Sequence, residues 1–385
     1  MIRINANKER NMLKRLFGWF MLVAAVLPLP VVAQAGGWLP TPTGPYQVGT
    51  TVYHWVDESH DEIFTESSDD RRELIVRLWY PAEVDENATP EPYAPHPDII
   101  ASFPAEAVTA GADIKISTSV EEFVYAPTHS YLDAPLSDAE ARYPVLIFSH
   151  GWAARPEFFA AQMEELASQG YIVAGIVHTH IALLTVFPDG RIVPFSNPDQ
   201  ALAREVGAQD QSFVLDQLAL LNDAPSGERF SGRLALDRVG VFGQSWGANI
   251  TPLACLWDSR FAAAILEDGS RLPVAVYRAG LDQPIMLMKR AGTSDPVALE
   301  RMRGPVYMLV FDGFGHMDFS DFPLYPGVSS SDPGLLGGVE GPRAAHVVNA
   351  YILAFFDQYL KGEASPLLDG PSSDYPEVAF EARNQ

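Results

Sequence analysis

A single cysteine, Cys255, in 385 residues excludes an internal disulfide. It stands in the apolar run PLACLW and reads as a small core residue, with no histidine nearby in sequence to make it a nucleophile. Basic residues are scarce too: 26 Lys and Arg face 49 Asp and Glu, a formal net charge of −23. An acidic surface repels nucleic acid and anionic membrane, so neither is an expected partner, and no stable membrane insertion is expected. Histidine is also sparse. Nine are present, and only His316 and His346 follow the serine motif described below. No internal repeat and no charge block interrupt the chain.

What is present begins with a leader. Lys14 and Arg15 precede LFGWFMLVAAVLPLPVVA, which is followed by Ala33-Gln34-Ala35. A basic start, a short apolar stretch carrying Pro28 and Pro30, and a small-x-small end predict a secretory signal peptide over residues 1–35. The run is short for a spanning helix and holds two prolines. The expected location is therefore periplasmic or extracellular. Taking away Arg3, Lys8, Arg10, Lys14, Arg15 and Glu9 leaves 21 basic against 48 acidic residues, a net charge of −27.

From Pro144 onward, short apolar runs alternate with helical patterns. PVLIFS, YIVAGIVH, RVGVFG, FAAAILE, PIMLMK and PVYMLVF read as strands. RPEFFAAQMEELASQG, DQSFVLDQLALL and AAHVVNAYILAFFDQYL read as helices, the last with Val348, Ile352, Phe355 and Tyr359 on one stripe. Almost wholly apolar strands between helices predict an α/β fold, a mostly parallel sheet covered on both faces. ELIVRLWYP is an earlier strand, followed by a Pro-, Ala- and Ser-rich stretch. The expected organisation is one catalytic domain over 36–365, an insertion at 96–135 before the PVLIFS strand, and a loosely ordered tail at 366–385.

Gly243-Gln244-Ser245-Trp246-Gly247 lies between the strand RVGVF and the helical ANITPLACLW. A serine in a sharp strand-to-helix turn stands above the sheet, with helix N–H groups behind it for a developing oxyanion. Ser245 is the expected nucleophile. It needs a base and a group to orient that base, which in such sheets follow in the order Ser, Asp or Glu, His. His346 lies inside the last helix. His316, in FDGFGHMDFSDF directly after the last parallel strand, is the expected base. Two acids qualify by position. Asp268 ends FAAAILED, and Asp295, in RAGTSDP, follows the next strand, the more usual place in this fold; Asp312 is too close to His316 in sequence. A second oxyanion donor is expected from His150-Gly151-Trp152, which follows a strand and opens a helix, so that the Trp152 N–H pairs with that of Trp246.

The blocks LIVRLWYP, PVLIFSHGW, ASQGYIVAGIVH, GVFGQSWG, ILEDG and GHMDFSDF, in this order between residues 70 and 325, resemble the plasma-type (isoform II) platelet-activating-factor acetylhydrolase family of the α/β-hydrolases. The resemblance implies an α/β-hydrolase fold and places the triad on Ser245, His316 and Asp268 rather than Asp295, with Trp152 as the loop oxyanion donor. It implies a secreted serine carboxylester hydrolase that needs no cofactor and no metal. The expected partners are small-molecule esters with short acyl groups; short sn-2-acyl phospholipids and polyesters are the alternatives. His178-Thr179-His180 with His150 is the one arrangement that prompts a metal-dependent hydrolase instead, and no third ligand at metal-like spacing follows it.

Overall fold

The chain forms fourteen strands within the residues that this computed structural model describes, 37–103, 109, 112–293 and 295–383. They are β1 Gln47–Asp61, β2 Arg71–Ala82, β3 Lys115–Ile116, β4 Ser130–Leu132, β5 Tyr143–Ser149, β6 Ile172–Val177 and β7 Leu184–Val186. The remainder are β8 Ile192–Pro194, β9 Leu234–Gln244, β10 Phe261–Glu267, β11 Ile285–Arg290, β12 Val306–Phe311, β13 Val328–Ser329 and β14 Val378–Arg383. Ten of them make one sheet in the order β14-β12-β11-β10-β9-β5-β6-β2-β1-β4. The six strands from β12 to β6 run parallel, while β2 is antiparallel to both β6 and β1. This is the α/β-hydrolase fold, as expected.

Strand period explains the layers. Val145 and Ile147 of β5 enter one hydrophobic core, and Leu146 and Phe148 enter the other. The first core lies against helices Gln200–Asn222 and Trp246–Trp257, the second against Ala160–Ser168 and Gly341–Phe356. A strand buried on both sides must be apolar throughout, as PVLIFS is. Cys255 is buried, and burial pushes its thiol up to about 12, which keeps it an inert core residue.

Three parts differ from expectation or extend it. β1, fifteen residues long, pairs with β2 along nearly its whole length. The 96–135 stretch carries short helices at Pro97–Ala101 and Val120–Val124, and its last part, β4, joins the main sheet beside β1. The tail is not loosely ordered. Its β14 pairs antiparallel with β12, because β12 would otherwise leave an edge of unpaired backbone groups. The expected leader at 1–35 lies outside the described residues. No helix among the described residues is long and apolar enough to cross a membrane.

The connections fix where a site can form. From β5 the chain crosses to β6 on one side, and then β9 returns to the other side of β5. At such a reversal the loops after the two strands diverge and leave a crevice at their carboxyl ends. The loops there are His150-Gly151-Trp152 after β5 and the Ser245 turn after β9.

Candidate active site

Ser245 sits between β9 and the helix Trp246–Trp257 with φ 57° and ψ −110°, a conformation that a residue with a side chain adopts only when its surroundings impose it. The Ser245 N–H donates to the Glu267 carbonyl at 2.8 Å, which ties the turn to the end of β10. Gly243 and Gly247 permit the turn's tightness: a β-carbon on Gly247 would lie 1.9 Å from the Ser149 carbonyl oxygen. The first N–H groups of the following helix lack intrahelical acceptors and carry the positive end of its dipole. Among the described residues the Ser245 hydroxyl enters no hydrogen bond, as is common before substrate tightens the arrangement.

Asp268 follows β10, the strand next to β9, and also has positive φ, 43°. Its Oδ2 lies 2.5 Å from His316 Nδ1. Arg290 Nε stands 3.0 Å from the same oxygen, and Oδ1 accepts from the Arg290 N–H and the Thr293 hydroxyl, each at 3.3 Å. Below the loop, buried Lys289 donates to the Gly269 carbonyl and, at 3.1 Å, to that of Ser270. His316 opens the short 3-10 turn His316–Phe319 after β12. The residue before the serine holds it: Gln244 Nε2 donates to the His316 carbonyl at 3.1 Å and lies 3.3 Å from His316 Nε2. Asp318 supports the turn by accepting from the Gly315 and Gly337 N–H groups.

Asp295 is elsewhere. It is buried, accepts from the Tyr277 hydroxyl and, at 3.4 Å, from the Leu272 N–H, and among the described residues has no hydrogen bond or ion pair with His316. His346 lies on the last helix with its Nε2 3.4 Å from the Tyr375 hydroxyl. The structure therefore brings His316 and Asp268 together beside the Ser245 turn and leaves Asp295 out.

The β5 loop closes the other side. A β-carbon on Gly151 would stand 3.3 Å from Ser245 Cβ, so the loop runs directly over the turn. Among the described residues the Trp152 N–H has no acceptor, and its half-buried ring packs 5.9 Å from that of Trp246 and 5.5 Å from Phe195. The three sequence histidines do not form a metal cage. Both ring nitrogens of His178 are taken, by Asp210 at 2.7 Å and Ser149 at 2.9 Å. Among the described residues no cluster of three or more His, Cys, Asp or Glu is arranged to hold an ion.

The family model for platelet-activating factor acetylhydrolase, isoform II, matches residues 32–220. A probable 1-alkyl-2-acetylglycerophosphocholine esterase of Arthroderma benhamiae is 27% identical over 384 residues, covering 89% of this chain and 93% of that protein. The platelet-activating factor acetylhydrolase of Canis lupus familiaris is 23% identical, covering 89% and 81%. A ferulic acid esterase from Streptomyces cinnamoneus superposes with a TM-score of 0.73 at 31% identity, over 89% of this chain and 98% of that one. The chain belongs to the isoform II platelet-activating-factor acetylhydrolase family. It is an ester hydrolase.

One residue of this acetylhydrolase-family site escaped the sequence reading. Glu267, next to Asp268, is fully buried, and burial pushes its carboxyl up to about 8 against the hydrogen bond from Gln162. Gln162 Nε2 reaches Glu267 Oε2 at 3.3 Å and the Phe319 carbonyl at 2.8 Å, while Oε1 of both side chains has no partner. Glu267 is thus held neutral between the acid strand and the histidine turn. The folded protein keeps this proton where the unfolded chain, with an ordinary value of 4.5, has released it. Its stabilising contribution is complete below about 4.5 and is lost as pH rises through about 8. Thermal midpoints are therefore expected to fall between pH 5 and pH 9, and Glu267→Gln, neutral at every pH, should lessen that fall. An equal slope in both proteins would exclude a protonated Glu267.

Proposed function

We propose that this protein is an exported serine carboxylester hydrolase acting on short-acyl esters. The observation that carries the reading is the His316–Asp268 contact of 2.5 Å beside the strained Ser245 turn, at the crevice between β5 and β9. Ser245 Oγ attacks the ester carbonyl, and His316 Nε2 takes its proton and delivers it to the leaving alkoxide. Asp268 accepts from Nδ1–H, fixing the tautomer and stabilising the imidazolium that forms. The N–H groups of Trp152 and Trp246 bind the oxyanion. Water then attacks the acyl-enzyme with His316 as base, releasing the acid and restoring the serine. No cofactor enters these steps. Residues 1–35 direct export and are removed in the course of it.

Short acyl groups are favoured by what lines the crevice. Phe314 and Phe319, on either side of His316, turn into the core around Phe311. Trp246 is buried against His178. Among the described residues, the partly exposed apolar groups by the site include Trp152, Phe195 and Met317. Each methylene buried there contributes about 0.8 kcal/mol, so a few carbons gain modestly before the bulky indole stops them. The relatives named as acetylhydrolases or as a 1-alkyl-2-acetylglycerophosphocholine esterase favour a short sn-2-acyl phospholipid as a second reading. The ferulic acid esterase adds aryl-acid esters to the classes worth comparing.

The test is kcat/KM across esters of rising acyl length, short sn-2-acyl phospholipids, feruloyl esters and polyester fragments. Acetyl to butyryl esters are expected to exceed dodecanoyl esters by about 10-fold or more, with little turnover of long-chain triglycerides. A rate that climbs through twelve carbons, or jumps above the critical micelle concentration, would make the protein a lipase.

A further inference from the structure

Behind the oxyanion loop stands a second serine, histidine and aspartate in line. Ser149 ends β5, His178 follows β6, and Asp210 lies on the helix Gln200–Asn222. His178 Nε2 is 2.9 Å from Ser149 Oγ and its Nδ1 is 2.7 Å from Asp210 Oδ2. Ser149 and His178 are 0% exposed and Asp210 3%, so no ester reaches this array and it is not a second nucleophilic site.

Its proton directions follow from one end. Arg72 can only donate, and does so twice to Asp210, at 3.0 and 2.8 Å. Asp210 can then only accept, so His178 carries its hydrogen on Nδ1 and presents a lone pair on Nε2. Ser149 must donate to that lone pair, and it accepts from Gln211 Nε2 at 2.9 Å. Burial, only partly opposed by Asp210, lowers the His178 pKa and keeps the ring neutral.

Two outputs reach the chemistry. The His178 backbone N–H donates to His150 Nε2 at 3.3 Å, which leaves the His150 hydrogen on Nδ1, donating to the Gly151 carbonyl at 2.7 Å. The Ala154 N–H also donates to that carbonyl, at 3.1 Å. The Gly151 C=O and the Trp152 N–H belong to one planar peptide and point in opposite directions, so holding the carbonyl aims the N–H. On the other side Gln211 donates at 3.3 Å to the Thr251 hydroxyl, which donates at 2.9 Å to the Gly247 carbonyl at the start of the nucleophile helix.

We propose that Ser149, His178 and Asp210 are positioning residues that hold the β5 loop and the Ser245 helix in register, so that the two oxyanion donors converge. This rests on the serine-esterase reading above. None of the three touches substrate.

The test is Ser149→Ala, with kcat expressed per active site titrated by a phosphonate. The expected result is a kcat about 10- to 100-fold lower, less than the loss when an oxyanion donor is removed outright, with KM changed less than about threefold. Affinity for a trifluoromethyl ketone, whose carbonyl becomes an oxyanion when Ser245 adds to it, should fall with kcat/KM. Affinity for the matching methyl ketone should not. Thr251→Val, nearly isosteric, should give the same selective loss at smaller size.

A merely structural role would lower the fraction of active sites and leave kcat per site unchanged, and that outcome would overturn the proposal. Equal weakening of both ketones would overturn it too. Should neither variant fold, nitrogen NMR of the parent protein decides: His150 and His178 are expected as neutral Nδ1–H tautomers, and an Nε2–H form of either would overturn the relay. A parent protein that fails to form the hemiketal would remove the serine-esterase reading itself. A parent that forms it, and a Ser149→Ala protein that forms it equally well, would remove only the relay.

Discussion

Replacing Ser245 with alanine is expected to lower ester turnover by about 10⁴-fold or more while leaving the fold intact. On the proposed mechanism the loss is large because the nucleophile is removed outright, leaving only binding and the oxyanion donors to act on attack by water. The fold should survive, since the Ser245 hydroxyl enters no hydrogen bond among the described residues and the turn is held by backbone groups. Alanine keeps the N–H that donates to the Glu267 carbonyl and the carbonyl that accepts from Asn249. Only Oγ is lost. A serine-directed phosphonate should label Ser245 alone. That outcome matters here because a second serine, Ser149, is bonded to a histidine–aspartate pair, and exposure separates it from Ser245: Ser149 is 0% accessible and Ser245 is partly exposed. Near-normal turnover in a folded Ser245→Ala protein would overturn the serine mechanism, and labelling at Ser149 would show that the buried array opens.

How far the sequence reaches can be seen residue by residue. FAAAILE is a strand over the same seven residues in the structure, because a strand buried on both faces writes itself as an unbroken apolar run. The turn at Ser245 was legible because its glycines fall between such a run and a helix. β1 was not. QVGTTVYHWVDESHD mixes polar and apolar residues, exposes much of its second half, and is held by backbone pairing with β2 rather than by its own pattern. β14 is similar: VAFEAR becomes a strand because the edge of β12 is open to it.

The buried Ser149 array escaped for a different reason. Its members lie on three elements, and only the sheet brings them together. One signal was present: Asp210 lies on the same buried stripe of its helix as Gly207, Val214 and Leu218. A carboxylate there needs a partner, and Arg72, buried within the apolar strand β2, answers it. The histidines of His178-Thr179-His180 drew attention as metal ligands, whereas both His178 nitrogens are engaged with protein groups.

The choice of acid is where spacing alone could not decide. Asp268 and Asp295 each follow a strand, and the sheet order separates them: β10 adjoins the Ser245 strand and β11 does not. Asp268→Asn is expected to reduce kcat by about 10³- to 10⁴-fold, because an amide nitrogen facing Nδ1 donates where the carboxylate accepted. The imidazole then carries its hydrogen on Nε2, the nitrogen that must take the Ser245 proton, and the base is disabled. Arg290, 3.0 Å from Asp268 Oδ2, adds to the effect, since its charge would face His316 without the carboxylate between them. Asp295→Asn should change turnover by less than about threefold, because its contacts run to Tyr277 and Leu272 rather than to the histidine. Its effect should appear in the thermal midpoint, as an amide that cannot serve both donors as well. Parallel kinetics and melting curves for the two variants separate these roles. If Asp295→Asn were the crippled enzyme and Asp268→Asn the active one, the acid would be misplaced by a strand, while Ser245 and His316 would keep their parts.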